Sequence, residues 1–305
     1  MVRHYRVVYV DTFTRRPFAG NPCAVLLDAT GLTDDQMQAI AREANLPETA
    51  FVLPSLRADY RVRFFTPRVE LPFAGHPTIA TAFTLAEEGL ILPQEPITRI
   101  HLEFEIGTLP VEVHIEDGEP VRVVMTQQRP TFGQAFAVEE VASTLGLRPS
   151  DVRSDCPPQV VGTGVAFLMV PVREVGLLGE IEMDRKALAT LCDRAGVSAA
   201  FAFSIGGLDP QSDTHARLFD PRGTMEDPFT GSATGAMGAY VIHHGLKQGP
   251  VLVAEQGHFV GRPGRGVLEI ERDDGGIRSV KLAGTAIRVL TGEFLIRDTS
   301  DEVRR

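Results

Sequence analysis

The chain has 305 residues, a formal net charge of −10, 43% hydrophobic and 23% charged residues, which suits a globular protein of two domains better than a single core. The negative balance argues against broad nucleic-acid binding, which needs a basic surface. No apolar run reaches the roughly 18 residues of a membrane span, and three scattered cysteines (Cys23, Cys156, Cys192) make neither a disulfide framework nor a zinc motif. A cytoplasmic setting, without membrane or nucleic acid as partner, is the expectation.

The opening MVRHYRVVYVDTF reads as a strand over residues 5–10, without the apolar region and cleavage site of a signal peptide. Thr33 and Gln36 form a capping box for a helix over 34–44. An apolar strand follows, then a Pro- and Gly-rich turn. A second helix is expected from Gly75 to Gly89, where glycine suits the position just past a helix end. The stretch TQQRPTFGQ (126–134) reads as a linker. A strand near 160–170 is followed by a helix over 185–195 capped by Asp184, another apolar strand, and a helix from Gly231 to Gly245. Residues 251–296 alternate apolar and polar residues between Gly-rich turns, as several strands do.

The chain repeats itself. PFAGHPTIATAFTLAEEGL (72–90) and PFTGSATGAMGAYVIHHGL (228–246) share 7 of 19 positions without gaps, where ordinary composition gives about one. Upstream, after a two-residue insertion in the second copy, Arg63, Phe65, Pro67 and Arg68 match Arg217, Phe219, Pro221 and Arg222. Farther upstream, Ala44-Asn45-Leu46 and Ala195-Gly196-Val197 each close a helical stretch. Two copies imply a duplicated domain rather than a solenoid. Both repeated helices are small or apolar on all sides, which predicts that they are buried all round. The expected class is α+β, two similar β-rich domains related by a pseudo-twofold, each wrapped around a central helix. The expected division is 1–127, 128–284 and a terminal strand and tail, 285–305, that can return to the first domain.

Both helices begin with glycine and a polar residue, Gly75-His76 and Gly231-Ser232. Helix starts offer unpaired N–H groups and partial positive charge, so two of them facing one inter-domain cleft would clamp a small anion. Glycines that merely permit tight turns explain the same residues. The copies differ where chemistry needs them to: His76 stands opposite Ser232, Glu48 has no acidic counterpart in VSAAFAF, and Glu226-Asp227 stand where the first copy has Glu70-Leu71. Desolvation of Glu48 between a helix and an apolar strand would raise its pKa toward proton transfer at neutral pH; a solvated loop glutamate is the plainer reading. Gly162-Thr163-Gly164 lacks the third glycine of a dinucleotide loop. Adjacent His243-His244 diverge on a helix and read as C-terminal-turn cations rather than a metal pair. No metal and no cofactor is expected.

Five segments in order, GNPCAVLLD (20–28), NLPETAFV (45–52), FFTPRVELPFAGHPT (64–78), EDPFTGSATG (226–235) and EQGHFVGRP (255–263), resemble the phenazine-biosynthesis (PhzF-like) isomerases. The resemblance implies the diaminopimelate-epimerase fold and a cofactor-independent isomerase acting on a small carboxylated substrate in the inter-domain cleft, assembled as a homodimer. It implies that Glu48 moves the proton, supported by His76, Asp227 and Ser232, with Asn21, Gly75, Gly231 and Ser232 on the substrate. Pro47 replaces the serine common before the glutamate. The related epimerases use two cysteines at the helix starts; here His76 and Ser232 stand there, and Cys23, inside an apolar run, reads as a core residue. A two-base amino-acid epimerase and a non-catalytic small-acid-binding protein on the same scaffold are the alternatives.

Overall fold

A computed structural model describes residues 2–297. Its contacts divide the chain into two compact units: Met1–Phe18 with Pro22–Val123 and Thr285–Arg305, and Ala19–Asn21 with Val124–Gly284. No described helix is long and apolar enough to cross a membrane.

The first unit carries β1 (Val2–Thr12), most of β2 (Asn21–Leu26), α1 (Asp34–Ala44), β3 (Glu48–Leu53), β4 (Tyr60–Phe65), β5 (Glu70–Leu71), α2 (Gly75–Glu87), β6 (Ile97–Phe104) and β7 (Gly107–Glu116). After β8 (Glu119–Gln127), the second unit carries β9 (Thr131–Ala135), α3 (Val138–Thr144), β10 (Gln159–Gly162), β11 (Ala166–Val172), α4 (Val175–Glu180), α5 (Arg185–Ala195), β12 (Ala200–Ile205), β13 (Thr214–Phe219), α6 (Gly231–His243), β14 (Val251–Gln256), β15 (Gly264–Asp273) and β16 (Gly276–Gly284). β17 (Ala286–Arg297) then pairs antiparallel along β1, from Thr12↔Ala286 to Val2↔Arg297. Residues 298–305 of the expected tail lie outside the described residues.

The two units use one topology. β2 pairs parallel with β3, β3 antiparallel with β4, β4 parallel with β6, and β6 antiparallel with β7. In the second unit β11–β12 is parallel, β12–β13 antiparallel, β13–β14 parallel and β14–β15 antiparallel. The central helix of each unit is enclosed by strands. α2 packs on β1, β3, β7 and β17, and α6 packs on β10, β11, β12, β15 and β16. Residues 76–86 of α2 and nearly all of α6 up to Ile242 are buried. Small side chains make this enclosure possible: a Cβ on Gly238 would lie 2.6 Å from Leu268 Cδ1, an overlap that close-packed interiors do not accommodate without movement.

Local chemistry fixes the helix ends. Thr33 and Gln36 make the reciprocal capping box of α1, and Asp184 accepts from the Lys186 and Ala187 amides at the start of α5. Asn45 and Gly196 close these helices in the left-handed region, at φ 50° and 69°, at matching places in the repeat. Gly89 and Gly245 follow the central helices at φ 68° and 66°. Such positions suit glycine and, less well, asparagine.

The linker expectation fails. Residues 126–134 hold the end of β8 and most of β9, and β9 pairs with β10 through Thr131↔Gly162 and Phe132↔Val161. Phe132 also stacks on His243 at 4.1 Å. Turn-forming Pro130 lies between two paired strands, so the composition marks a bend, not a tether. His244 also departs from expectation. Burial, with the neighbouring His243, pushes its pKa down, and its Nε2 lies 3.1 Å from Gln159 Oε1. Both observations work against reading it as a free cation at the helix end.

Candidate active site

Strand register explains how the repeat breaks. Thr49 pairs with Phe65 in the first unit and Ala200 with Phe219 in the second. Glu48 therefore occupies the place of Ala199. The matched arginines behave alike in both units. Arg63 Nε and Nη2 each donate at 2.7 Å to the two carboxylate oxygens of Glu70. Arg217 binds Glu226 in the same fork, at 3.0 and 2.7 Å. Each guanidinium also lies over the phenylalanine two residues on, at 5.1 Å over Phe65 and 4.8 Å over Phe219. Glu226 is thus a structural partner, and Asp227, the residue without an acidic counterpart, is left to the helix start.

In the first unit Glu48 opens β3, and its side chain is 19% exposed. His76, the second residue of α2, is buried, and its Nε2 lies 3.3 Å from Glu48 Oε2. Burial pushes the His76 pKa down to about 3, against a hydrogen bond from the ring to the Pro22 carbonyl. The imidazole is therefore neutral near pH 7. With one ring N–H on Pro22, a proton on either Glu48 or Nε2 would join the facing atoms. Cys23 lies beside Glu48 in the β2–β3 register and is fully buried. Burial and the Glu48 charge push its thiol well up, which makes it an inert core residue rather than a nucleophile.

In the second unit Asp227 precedes α6. Its Oδ1 accepts from Asn21 Nδ2 at 2.5 Å and its Oδ2 from Thr230 Oγ1 at 2.6 Å. Burial raises the Asp227 pKa, against the hydrogen bonds from Thr230, Asn21 and the Phe229 amide, and Glu226 adds to the rise. Asn21 is fully buried, and the same Nδ2 donates to the Phe229 carbonyl at 2.8 Å. Both amide protons are thereby used on the protein. Asn21, expected among the substrate contacts, also holds Asp227 in place through these bonds. Ser232 is half-buried in the first turn of α6, after the buried Gly231.

α1 and α5 carry side-chain caps, but α2 and α6 carry none, and neither has an acidic residue in its first turn. The amides starting at Gly75 and Gly231 thus keep the partial positive charge of a helix start, with the Asp227 carboxyl, held by the Thr230 hydroxyl, standing before α6.

Sequence reasoning missed a group of supports. Gln256 Nε2 donates to the Asp227 carbonyl at 2.7 Å, while its Oε1 accepts from the Thr230 amide at 2.9 Å. Gln127 donates to the Gly231 carbonyl at 2.9 Å and accepts from Thr163 Oγ1 at 2.5 Å. A Cβ on Gly235 would lie 1.8 Å from Gln127 Oε1, so that helix glycine makes room for the glutamine. The EQG segment contained Gln256 but gave no sign of its target. Gln127 stood in the supposed linker.

The match to known proteins runs along nearly the whole chain. Residues 10–292 fit the family model described as phenazine biosynthesis-like protein. The chain is 33% identical over 291 residues to the trans-2,3-dihydro-3-hydroxyanthranilate isomerase of Pseudomonas aeruginosa, covering 94% of this chain and 98% of that one. It is 31% identical to the Bacillus anthracis phenazine biosynthesis protein of the PhzF family, whose crystal structure superposes with a TM-score of 0.87 over 96% of this chain and 100% of that one. The hydroxyproline epimerase of Agrobacterium vitis shares the fold alone, with a TM-score of 0.67 at 16% identity over 99% of this chain and 93% of that one. The duplicated α+β fold, two strand-wrapped central helices and these relatives identify the chain as an isomerase that belongs to the phenazine biosynthesis-like (PhzF) family.

Proposed function

We propose that this isomerase moves a proton between two carbons of a small carboxylated substrate without a cofactor, with Glu48 as the proton carrier. The observation that carries the reading is the 3.3 Å approach of Glu48 Oε2 to the buried, neutral His76. A carboxyl group beside a neutral imidazole whose ring N–H is already used has no cationic partner to suppress its basicity, and Nε2 is ready to accept its proton in a hydrogen bond once the carboxyl is protonated.

In the proposed step the Glu48 carboxylate takes a proton from one carbon, and the electron pair of that C–H bond spreads into the substrate. The proton then returns to a different carbon, so no atom or electron is gained or lost. With its ring N–H on Pro22, His76 Nε2 accepts a hydrogen bond from the proton that Glu48 carries between the two carbons, and so holds the protonated carboxyl by a hydrogen bond, not by charge. Asp227, whose pKa is raised by burial, is a second group able to hold a proton. Ser232 and the amides from Gly75 and Gly231 are assigned to the substrate carboxylate, whose charge suits helix starts. The enzyme is taken to act in the cytoplasm as a homodimer. Light scattering at micromolar concentration that finds a monomer removes the last point alone.

The relative from Pseudomonas aeruginosa makes trans-2,3-dihydro-3-hydroxyanthranilate the first compound to assay. Turnover in D2O, followed by mass and NMR, reads the chemistry. A shifted double bond supports proton relocation, whether deuterium enters or the abstracted proton is returned internally. Inversion at one labelled carbon with no such shift would mark the two-base epimerase instead. Tight binding of candidate acids with no conversion would mark a binding protein.

A further inference from the structure

A second polar cluster lies in the second unit and takes no part in the proposed reaction. His215 sits on β13, Glu255 on β14, and His258 in the short turn just after it. Parallel pairing places His215 directly beside Glu255. His215 is fully buried, Glu255 is 3% exposed, and the His258 ring is 29% exposed. His215 Nδ1 lies 3.5 Å from Glu255 Oε1, and His258 Nε2 lies 3.4 Å from Glu255 Oε2. One donor atom from each residue lies within 4.8 Å of the others.

Two features separate this cluster from a hydrogen-bonded triad. A ring N–H···O bond has its optimum near 2.9 Å, and among the described residues neither ring nitrogen of His215 has a hydrogen-bond partner of good geometry, nor does His258 Nδ1. A buried polar atom left so is costly. Conversely, donors about 2.0–2.2 Å from a tetrahedral ion stand about 3.4 Å apart; the two histidine–carboxylate distances have that length, each to a different oxygen of Glu255, so the carboxylate would hold the ion through both. Two imidazoles and a carboxylate are also a donor set that suits zinc-like ions.

The surroundings hold the carboxylate in place. Its Oε1 accepts from the Asp209 amide at 3.1 Å. A Cβ on Gly207 would lie 1.9 Å from the same oxygen, so this glycine provides the space it occupies. Arg265 lies 3.3 Å from Asp209. With neutral histidines, Glu255, Asp209 and Arg265 sum to one negative charge, which suits a cation.

We propose that His215, Glu255 and His258 form a binding site for one divalent transition-metal ion of the zinc class, with a structural role. No metal is expected from the scattered cysteines or from His243-His244, and the three residues of this cluster are spread over 44 positions of the chain. The ion would tie the turn after β14 to β13. β14 ends at Gln256, which holds Asp227 and Thr230, and the turn runs on to Arg262, which donates to the carbonyls of Ala19 and Gly20 at 3.1 and 2.9 Å. The site thereby stiffens the support of Asp227, while the binding claim itself needs no particular reaction to be true.

The test uses the full chain, stripped with a chelator and titrated with Zn2+ and with Co2+. Calorimetry is expected to find one ion per chain, Co2+ to give the visible absorption of a low-symmetry site, and Zn2+ to raise the melting temperature. His258→Ala removes the most exposed ligand and is the variant least exposed to folding failure. It is expected to weaken binding at least about tenfold with unchanged circular dichroism, and Glu255→Gln to do the same if it folds. No saturable binding by the wild type would overturn the proposal. Equal binding by wild type and His258→Ala would also overturn it, by placing the ion elsewhere.

Discussion

Asn21 donates to Asp227 Oδ1 at 2.5 Å across 206 positions of sequence. The bond fixes one oxygen of the carboxylate, and Thr230 fixes the other. Asn21→Ala leaves a buried carboxylate with one donor fewer and the Phe229 carbonyl without its amide partner. A loss of about 1.5–3 kcal/mol is expected, as for a hydrogen bond to a charged group. Urea unfolding at pH 7 measures it. A change below about 0.5 kcal/mol would show that water replaces the amide at no cost.

Glu48→Gln keeps the size of the side chain and removes its basicity. Thermal unfolding should change little, because the side chain is partly exposed and opens its strand. Turnover is expected to fall by at least ~10²–10⁴-fold, the usual contribution of general acid–base catalysis. Near-normal turnover of the purified variant moves the proton-carrying role to Asp227 or His76.

His76 makes the protein sensitive to acid. In the unfolded chain a histidine binds its proton near pH 6.5; in the fold burial delays this to about pH 3. Between these limits the unfolded state holds more protons, so stability rises with pH and falls on acidification, by up to about 1.4 kcal/mol per pH unit. The contribution is constant above pH 6.5. His76→Asn removes it. The wild-type stability minus that of the variant is therefore expected to shrink from pH 7 to pH 4, read by denaturation across that range. A difference independent of pH contradicts the assignment of a neutral buried ring.

Gly235→Ala tests how the start of α6 is supported. The new methyl displaces Gln127, which then loses its bonds to the Gly231 carbonyl and Thr163. Overpacking of this kind costs about 1–3 kcal/mol. Gln127→Ala in the same chain should relieve the overlap, so the double variant is expected to be less destabilised than the sum of the two single ones. Simple additivity would separate Gly235 from Gln127.

The sequence by itself determined what depends on neighbours along the chain. The capping box of Thr33 and Gln36, the Asp184 cap, the glycines past each central helix and the small-residue composition of both helices are local or periodic signals, and each element appears where they point. The internal repeat carried the topology, because two copies of one pattern must solve one packing problem. It also exposed Glu48 and Asp227 as departures from symmetry. Only the tertiary structure decided what those departures touch. Glu48 meets His76 because β3 and the start of α2 converge, and Asn21 meets Asp227 through a partner 206 positions away. Gln127, Gln256 and the His215–Glu255–His258 cluster carry no periodicity or cap that would mark them. Their roles follow from strand register and from side chains meeting in three dimensions, and no local spacing encodes such meetings.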